Sequence, residues 1–232
     1  MKVLTIIPAY NEEKSIADVI SQIKLNLPEI DIVAVNDGSS DATSAKAESA
    51  GARVINLPFN LGIGGAMQTG YLYAKNNKYD IAIQVDGDGQ HNPVYIHNLM
   101  EPIIEGKVDM VIGSRFIKKT YYKPSLARKA GIVFFSSLVR FLTNQKVKDA
   151  TSGFRVVNKE IIQYFSNYYP TDYPEVDVLV KLYRKGFKVI EMPVEMQERK
   201  TGKSSITPLR SIYYMVKVTI SLLIGSLKIA DE

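Results

Sequence analysis

Apolar and polar positions in the first half of the chain fall into a repeating pattern. Short β-branched runs, "VLTII", "DIVAV", "ARVIN", "DIAIQV" and "DMVIG", alternate with segments such as "KSIADVISQIKLNL" and "GGAMQTGYLYAKN", where apolar residues return every three or four positions. The runs predict strands and the intervening segments helices. Strand and helix in alternation predict an α/β fold with a mostly parallel central sheet flanked by helices. Each predicted strand ends in a polar loop: "PAYNE", "NDGSSD", "LPFNLG", "DGDGQH" or "GSRF". Open α/β sheets bind ligands at the carboxyl ends of their strands, so these five loops are expected to border one crevice.

After residue 115 the alternation stops. "KKTYYKPS" leads into a long amphipathic stretch, "LARKAGIVFFSSLVRFLTNQK". There follow "DATSGFRVV", a helix near "PEVDVLVKLYRKG" and an expected strand pair around "KVIEMPVEMQER". No internal repeat or low-complexity linker separates the halves, so the second reads as an elaboration of the first. In "TPLRSIYYMVKVTISLLIGSLKI" the uncharged stretch Val218 to Leu227 is short of the roughly 20 residues that a membrane span requires. At about 100° per residue, Arg210, Lys217, Ser221 and Lys228 share one stripe opposite a broad apolar face. The expected division is therefore a domain over 1–206 and a C-terminal amphipathic helix over 207–232, lying on a membrane or a partner. A core helix with a solvated polar stripe is the alternative.

Charge divides the chain differently from hydropathy. Its 232 residues carry a formal +5, but residues 1–100 hold 7 Lys/Arg against 11 Asp/Glu, and residues 101–232 hold 22 against 13. The basic part is a candidate for phosphate or an anionic membrane surface. With no cysteine and two histidines, oxygen atoms are the only plentiful ligands for a cation. The apolar run at the N-terminus is too short for a secretory signal, and an intracellular setting is expected.

Candidate chemistry centres on "IQVDGDGQHNP", where Asp86 and Asp88 stand one residue apart behind an apolar run. Like charges at a shared site raise one pKa, so a positive partner is expected there. One reading is a divalent cation on Asp86 and Asp88 with Gln90 as third ligand and waters or phosphate completing the shell. The other is a capped turn with glycine at positive φ; on these residues alone both stand. His91 reads as packing beside the ligands. An EF-hand is excluded, because His91 and His97 stand where Gly and Glu are needed. Asp41 reads as an N-cap, and Asp37 as an acceptor for a nucleobase N–H or a ribose hydroxyl. "NLGIGGAMQTG" lacks the third glycine of a dinucleotide fingerprint, since Met67 occupies it. Gly62 can still open a backbone cradle for a diphosphate, against the alternative of a tight turn with close helix packing.

Taken together, "IPAYNE", "VNDGSSD", "NLGIGGA", "DGDGQH", "GSRF", "DATSGFR" and "ERKTGKSS" occur in the order seen in family 2 glycosyltransferases with the GT-A fold. The later motifs resemble the polyprenol-phosphate branch, of which dolichol-phosphate mannose synthase is typical. The resemblance spans about residues 3–206. It implies a nucleoside pocket lined by Pro8, Ala9, Tyr10, Glu12 and Asp37, with Mg²⁺ or Mn²⁺ held by Asp86, Asp88 and Gln90 against the donor diphosphate. One departure is Asn36, where the family commonly has a first aspartate. Arg199, Lys203 and Ser204 would meet an acceptor phosphate; a solvated basic loop is the bland alternative. Arg115 is placed with the donor and Arg155 with the acceptor phosphate, and either can instead make a structural ion pair.

The implied reaction is inverting, metal-dependent transfer of a hexosyl unit from a nucleotide diphosphate sugar, a UDP-sugar ahead of GDP-mannose, to a polyprenyl phosphate. The expected setting is the cytoplasmic face of a membrane, bound peripherally, with or without a small transmembrane partner and with no nucleic acid. A second reading is polysaccharide extension at a sugar hydroxyl, which needs a carboxylate base; Glu175, Asp177 and Asp149 are its candidates. A third is a nucleotide-sugar-binding or scaffold protein without turnover.

Overall fold

The computed structural model describes residues 1–118, 126–171, 174–197 and 215–222. All five predicted strands are present: β1 (Val3–Ala9), β2 (Asp31–Asn36), β3 (Arg53–Asn56), β4 (Ile81–Gln84) and β5 (Met110–Ser114). Between them run α1 (Ile16–Asn26), α2 (Thr43–Ser49), α3 (Gly62–Asn76) and α4 (Ile96–Ile104). Helix α5 (Leu126–Thr143) follows, then β6 (Arg155–Asn158), α6 (Lys159–Asn167), α7 (Pro174–Arg184) and β7 (Val189–Pro193). Residues 215–222 are also helical.

The strands form one seven-stranded sheet in the order β3-β2-β1-β4-β6-β5-β7. All neighbours are parallel except β6, which runs antiparallel to both β4 and β5. The expected strand pair at "KVIEMPVEMQER" is a correction: within the described residues there is one strand, β7, parallel to β5. Pro193 has no N–H to continue a ladder, and beyond it Val194 N–H donates to Ser114 O at 3.1 Å.

Both faces of the sheet are covered, which is why its strands read as nearly continuous apolar runs. Leu4 and Ile6 point into a core built with Met67 and Tyr71 of α3, Phe135 of α5, Phe165 of α6 and Leu179 of α7. Ile7 and Ala9 point the other way, onto Ile16 and Ile20 of α1 and Leu99 of α4. Val218 and Leu222 of the terminal segment belong to the first of these cores.

The reversed strand positions the site. Arg155 begins β6 in register with Gln84, the last residue of β4, and with Ile112 of β5. The segment entering β6 therefore lies at the same edge as the chain leaving β4 and β5. Loops following β1, β2, β4 and β5 and the loop preceding β6 share that edge.

Candidate functional site

Strand β4 is wholly buried and its chain continues as Val85, whose N–H donates to Ile6 O at 3.1 Å. Asp86 then emerges with its side chain 36% exposed, whereas Asp88 is buried at 7% and its Oδ1 accepts the Gln90 N–H at 2.9 Å. His91 is buried and stacks on Phe154, ring centroids 4.8 Å apart and planes 10° from parallel. Its Nδ1 accepts the Asp86 backbone N–H at 3.0 Å, and Nε2 lies 3.5 Å from Asp86 Oδ2. A ring whose Nδ1 accepts carries its proton on Nε2 when neutral, so His91 steadies Asp86 from beneath. On the other side, a Cβ at Gly153 would come within 3.2 and 3.3 Å of the two Asp86 oxygens. Glycine there leaves room for the carboxylate and whatever it binds.

Asp86, Gln90 and His91 share a pocket with Arg115, Thr151, Ser152, Gly153 and Met196. Hard oxygen donors on Asp86 and Asp88, with the Gln90 amide adjacent, fit Mg²⁺ or Mn²⁺. Mg²⁺ characteristically takes one or two carboxylates and fills its remaining positions with water and substrate phosphate. The described residues contain no cluster of three or more His, Cys, Asp or Glu side chains suited to a metal.

At the ends of β1 and β2, Pro8 and Ala9 are buried and Tyr10 is half exposed. The Asp37 N–H donates to Ala9 O at 2.9 Å, bringing these residues together. Glu12 is tied in by its N–H to Thr43 Oγ1 at 2.8 Å, and its Oε2 accepts the Ser15 hydroxyl at 2.9 Å. Asp37 is buried, with Oδ1 accepting the Leu61 N–H at 2.7 Å and Oδ2 the Gly62 N–H at 2.9 Å. That bridge fastens the start of α3 to the end of β2 and engages the Gly62 N–H. Gly62 has φ +80°, and a Cβ at Gly64 would lie 2.0 Å from Pro170 O. The glycines of "NLGIGGA" thus serve a tight turn and close helix packing. Asn36 donates to Asn56 Oδ1 at 2.8 Å and accepts the Ser39 N–H at 3.2 Å; its amide donor has a use that a carboxylate lacks. Asp41 accepts the Thr43 N–H at 3.0 Å at the start of α2 and also bonds the Thr43 hydroxyl. Burial alone would raise its pKa, but the Thr43 side-chain and backbone hydrogen bonds outweigh that and lower it.

The basic side is organised by buried charge. Arg115 is 5% exposed and forks onto Asp149, Nε to Oδ2 at 2.7 Å and Nη2 to Oδ1 at 2.6 Å. The ion-pair alternative is therefore realised, with one edge of the guanidinium fixed and the residue still bordering the pocket. Arg155 is 1% exposed, and its Nε and Nη2 donate to the carbonyls of Ser152 at 2.8 Å and Glu175 at 2.8 Å. Its Nη1 is buried with no hydrogen-bond partner among the described residues. Glu175 is partly buried at the start of α7; loss of water raises its pKa, against the lowering by Arg155. Asp177 pairs with Lys181 at 3.0 Å one helical turn on. Arg199, Lys203 and Ser204 lie outside the described residues. The chain leading to them is anchored at Gln197, whose N–H donates to Gln90 O at 2.8 Å.

Sequence reasoning missed Thr151, Ser152 and Met196 as pocket residues and gave Glu191 no part. "DATSG" carried a signal as a motif, but its side chains became assignable only once β6 was seen to run backwards.

A Glycosyl transferase family 2 model matches residues 5–165. Undecaprenyl-phosphate mannosyltransferase of Micrococcus luteus is 28% identical over 219 residues, covering 89% of this chain and 88% of that protein. Dolichol-phosphate mannosyltransferase of Pyrococcus furiosus is 30% identical over 237 residues, 94% of this chain and 64% of the relative. Among solved structures, glucosyl-3-phosphoglycerate synthase from Mycobacterium tuberculosis, in complex with Mn²⁺, UDP and phosphoglyceric acid, has a TM-score of 0.74 and 21% identity. The match covers 97% of this chain and 78% of that one, a likeness of fold.

Proposed function

The chain belongs to glycosyl transferase family 2 and is a glycosyltransferase, and from that premise we propose that it transfers a hexosyl unit from a nucleotide diphosphate sugar to a polyprenyl phosphate at a membrane surface. The observation that carries this reading is a pocket that Asp86, Gln90 and Arg115 line together. Such a pocket pairs a cation site with a fixed positive charge, which suits a substrate dense in phosphate. The names of the Micrococcus luteus and Pyrococcus furiosus relatives support a polyprenyl phosphate as acceptor.

In the proposed reaction an oxygen of the acceptor phosphate attacks the anomeric carbon, forming a C–O bond as the bond from that carbon to the donor diphosphate breaks in line, with inversion. Mg²⁺ or Mn²⁺ on Asp86, Asp88 and Gln90 would supply counter-charge for the departing diphosphate. His91 and Gly153 keep Asp86 aimed and unobstructed, and Asp37 holds the turn that closes the nucleoside end. A phosphate monoester has its second pKa near ~6, so the nucleophile is already ionised at neutral pH. Of the three carboxylates that a hydroxyl acceptor would call on, Asp149 is bound to Arg115 and Asp177 to Lys181, while Glu175, its pKa raised by burial, is the one that the hydroxyl reading would use. Arg199, Lys203, Ser204 and Arg155 are proposed for the acceptor phosphate.

The membrane part of the reading draws on two outward faces. Helix α5 exposes Val133, Phe134 and Phe141, the last 81% exposed, beside exposed Lys129, Arg140, Lys146 and Lys148. Residues 215–222 bury Val218 and Leu222 but leave Val216 and Ile220 outward with Lys217. Apolar side chains among cations suit an anionic lipid interface. No helix of the described residues is long and apolar enough to cross a membrane. We read 1–206 as the transferase domain and 207–232 as an element that associates with a membrane or a partner, with Val218 and Leu222 seated on the domain's core.

The test incubates the full chain with Mg²⁺ or Mn²⁺, undecaprenyl phosphate in anionic vesicles and a panel of radiolabelled UDP-sugars and GDP-mannose. The expected result is label in the organic extract and protein sedimenting with the vesicles. Label found only in water-soluble glycan would transfer the assignment to a hydroxyl acceptor; no label from any donor would overturn the proposal.

A further inference from the structure

Among the described residues, Asp149 gives Arg115 most of its hydrogen bonds. Besides the two side-chain bonds, the backbone N–H of Arg115 donates to Asp149 Oδ2 at 3.0 Å, and Nη2 also reaches Thr151 Oγ1 at 3.0 Å. Asp149 is wholly buried but stands in an irregular segment between α5 and β6, where no helix or sheet ladder fixes it. That segment is fixed from β7. Glu191 Oε2 accepts the Lys148 N–H at 2.7 Å, and Oε1 accepts the Asp149 N–H at 2.8 Å. Two successive amides thus close on one carboxylate that arrives from 42 and 43 residues away in the chain. Glu191 is itself set by the sheet, in register with Ile112 three residues before Arg115.

We propose that Glu191 is a positioning residue for sugar transfer: by gripping the amides of Lys148 and Asp149 it sets the Asp149 carboxylate, which aims the Arg115 guanidinium at the pocket shared with Asp86 and Gln90. The proposal rests on the reading of Arg115 as a donor-side charge. Its chemistry requires a carboxylate at 191, since both oxygens act as acceptors. Glutamine offers one acceptor and turns an NH₂ toward an amide N–H, leaving that donor without a partner. The Asp149 turn then shifts, and a bidentate pair tolerates little displacement before its second bond is lost.

Glu191→Gln, Arg115→Ala and the double variant are compared with the parent full chain in the transfer assay. The ¹⁵N–¹H spectrum of the arginine Nε–H groups is recorded alongside, with the Arg115 signal identified by its loss in Arg115→Ala. Glu191→Gln is expected to lower kcat/KM for the donor about tenfold, the scale on which supporting residues act. In the Arg115→Ala background it is expected to cost nothing further, because both changes remove one interaction. The Arg115 Nε–H signal should shift or broaden in Glu191→Gln, and less so in Glu191→Asp, which keeps both acceptors on a side chain shorter by one methylene. Glu191→Asp also carries the comparison if the glutamine variant melts below the assay temperature. An unmoved Arg115 signal, or a full extra tenfold loss in the double variant, overturns the proposal. If Arg115→Ala is as active as the parent, the donor-charge reading of Arg115 is what falls, and the spectrum still reports whether Glu191 holds that guanidinium.

Discussion

The two halves of the sheet edge handle buried carboxylates in opposite ways. On the β3-β2-β1-β4 side, Asp37 is buried among neutral backbone donors, accepting the amides of Leu61 and Gly62. On the β6-β5-β7 side, Asp149 is equally buried but takes a guanidinium fork from Arg115. Amide donors fix a loop without adding net charge. An arginine brings a positive charge into the pocket and needs a counter-ion buried with it. In the proposed function the first half holds the nucleoside and the cation, and the second faces phosphate.

The sharpest way to break that division is at Asp88. Asp88→Asn keeps the volume and the oxygen that accepts the Gln90 N–H, but removes the charge. Turnover is expected to fall by about three orders of magnitude, corresponding to several kcal/mol of lost charge stabilisation on the leaving group. The melting temperature should stay within a few degrees of the parent. Activity retained above a tenth of the parent would remove the metal role from this corner.

Asp149→Ala probes the other half. It strands Arg115 in a buried position, and breaking such a pair typically costs about 3–5 kcal/mol. For a chain of this size that is a fall in Tm of about 10 °C. Thermal melts check it; a fall under about 2 °C would mean that water or another residue already neutralises Arg115.

The same contrast explains what could be read in advance. The five strands of the first half and the loops at their ends were legible, because a covered strand and the helix after it announce themselves within about ten residues. That Asp86 and Gln90 would border the crevice was legible for the same reason. Three features of the second half were not. The reversal of β6 depends on which neighbours Arg155–Asn158 finds, and a four-residue strand carries no direction in its composition. The commitment of Asp149 to Arg115 spans 34 residues, and that of Glu191 to the Asp149 amide spans 42. The use of Gly64 for packing likewise depends on Pro170 arriving from another part of the chain. Asp37 shows the limit even in the first half: its place at a strand end was readable, but not its grip on the amides of Leu61 and Gly62.

The smallest expected effect tests whether burial or hydrogen bonding governs each half, and it lies in the sign of a pH dependence. Asp41 has its pKa lowered, since donors from Thr43 outweigh the raising effect of burial. Its carboxylate therefore contributes stability above the unfolded-state value and loses that contribution as pH falls through the folded-state value. Glu175 has its pKa raised by burial, only partly offset by Arg155. Its penalty is absent while both states are protonated, grows as pH rises past the unfolded value, and is constant above the folded one. Asp41→Asn should accordingly lower stability at pH 7, by about 1 kcal/mol, since the charge beside the helix start is lost and the new NH₂ faces the Glu13 N–H that Asp41 Oδ2 accepts at 3.2 Å. Glu175→Gln should raise stability at pH 7. Both differences should shrink toward zero as pH is brought below about 4, where aspartate and glutamate protonate in the unfolded chain. Urea titrations of the two variants and the parent at pH 7 and in mild acid measure this directly. If both variants moved the same way at neutral pH, the contrast between a donor-rich half and a desolvated half would fail at its most exposed point.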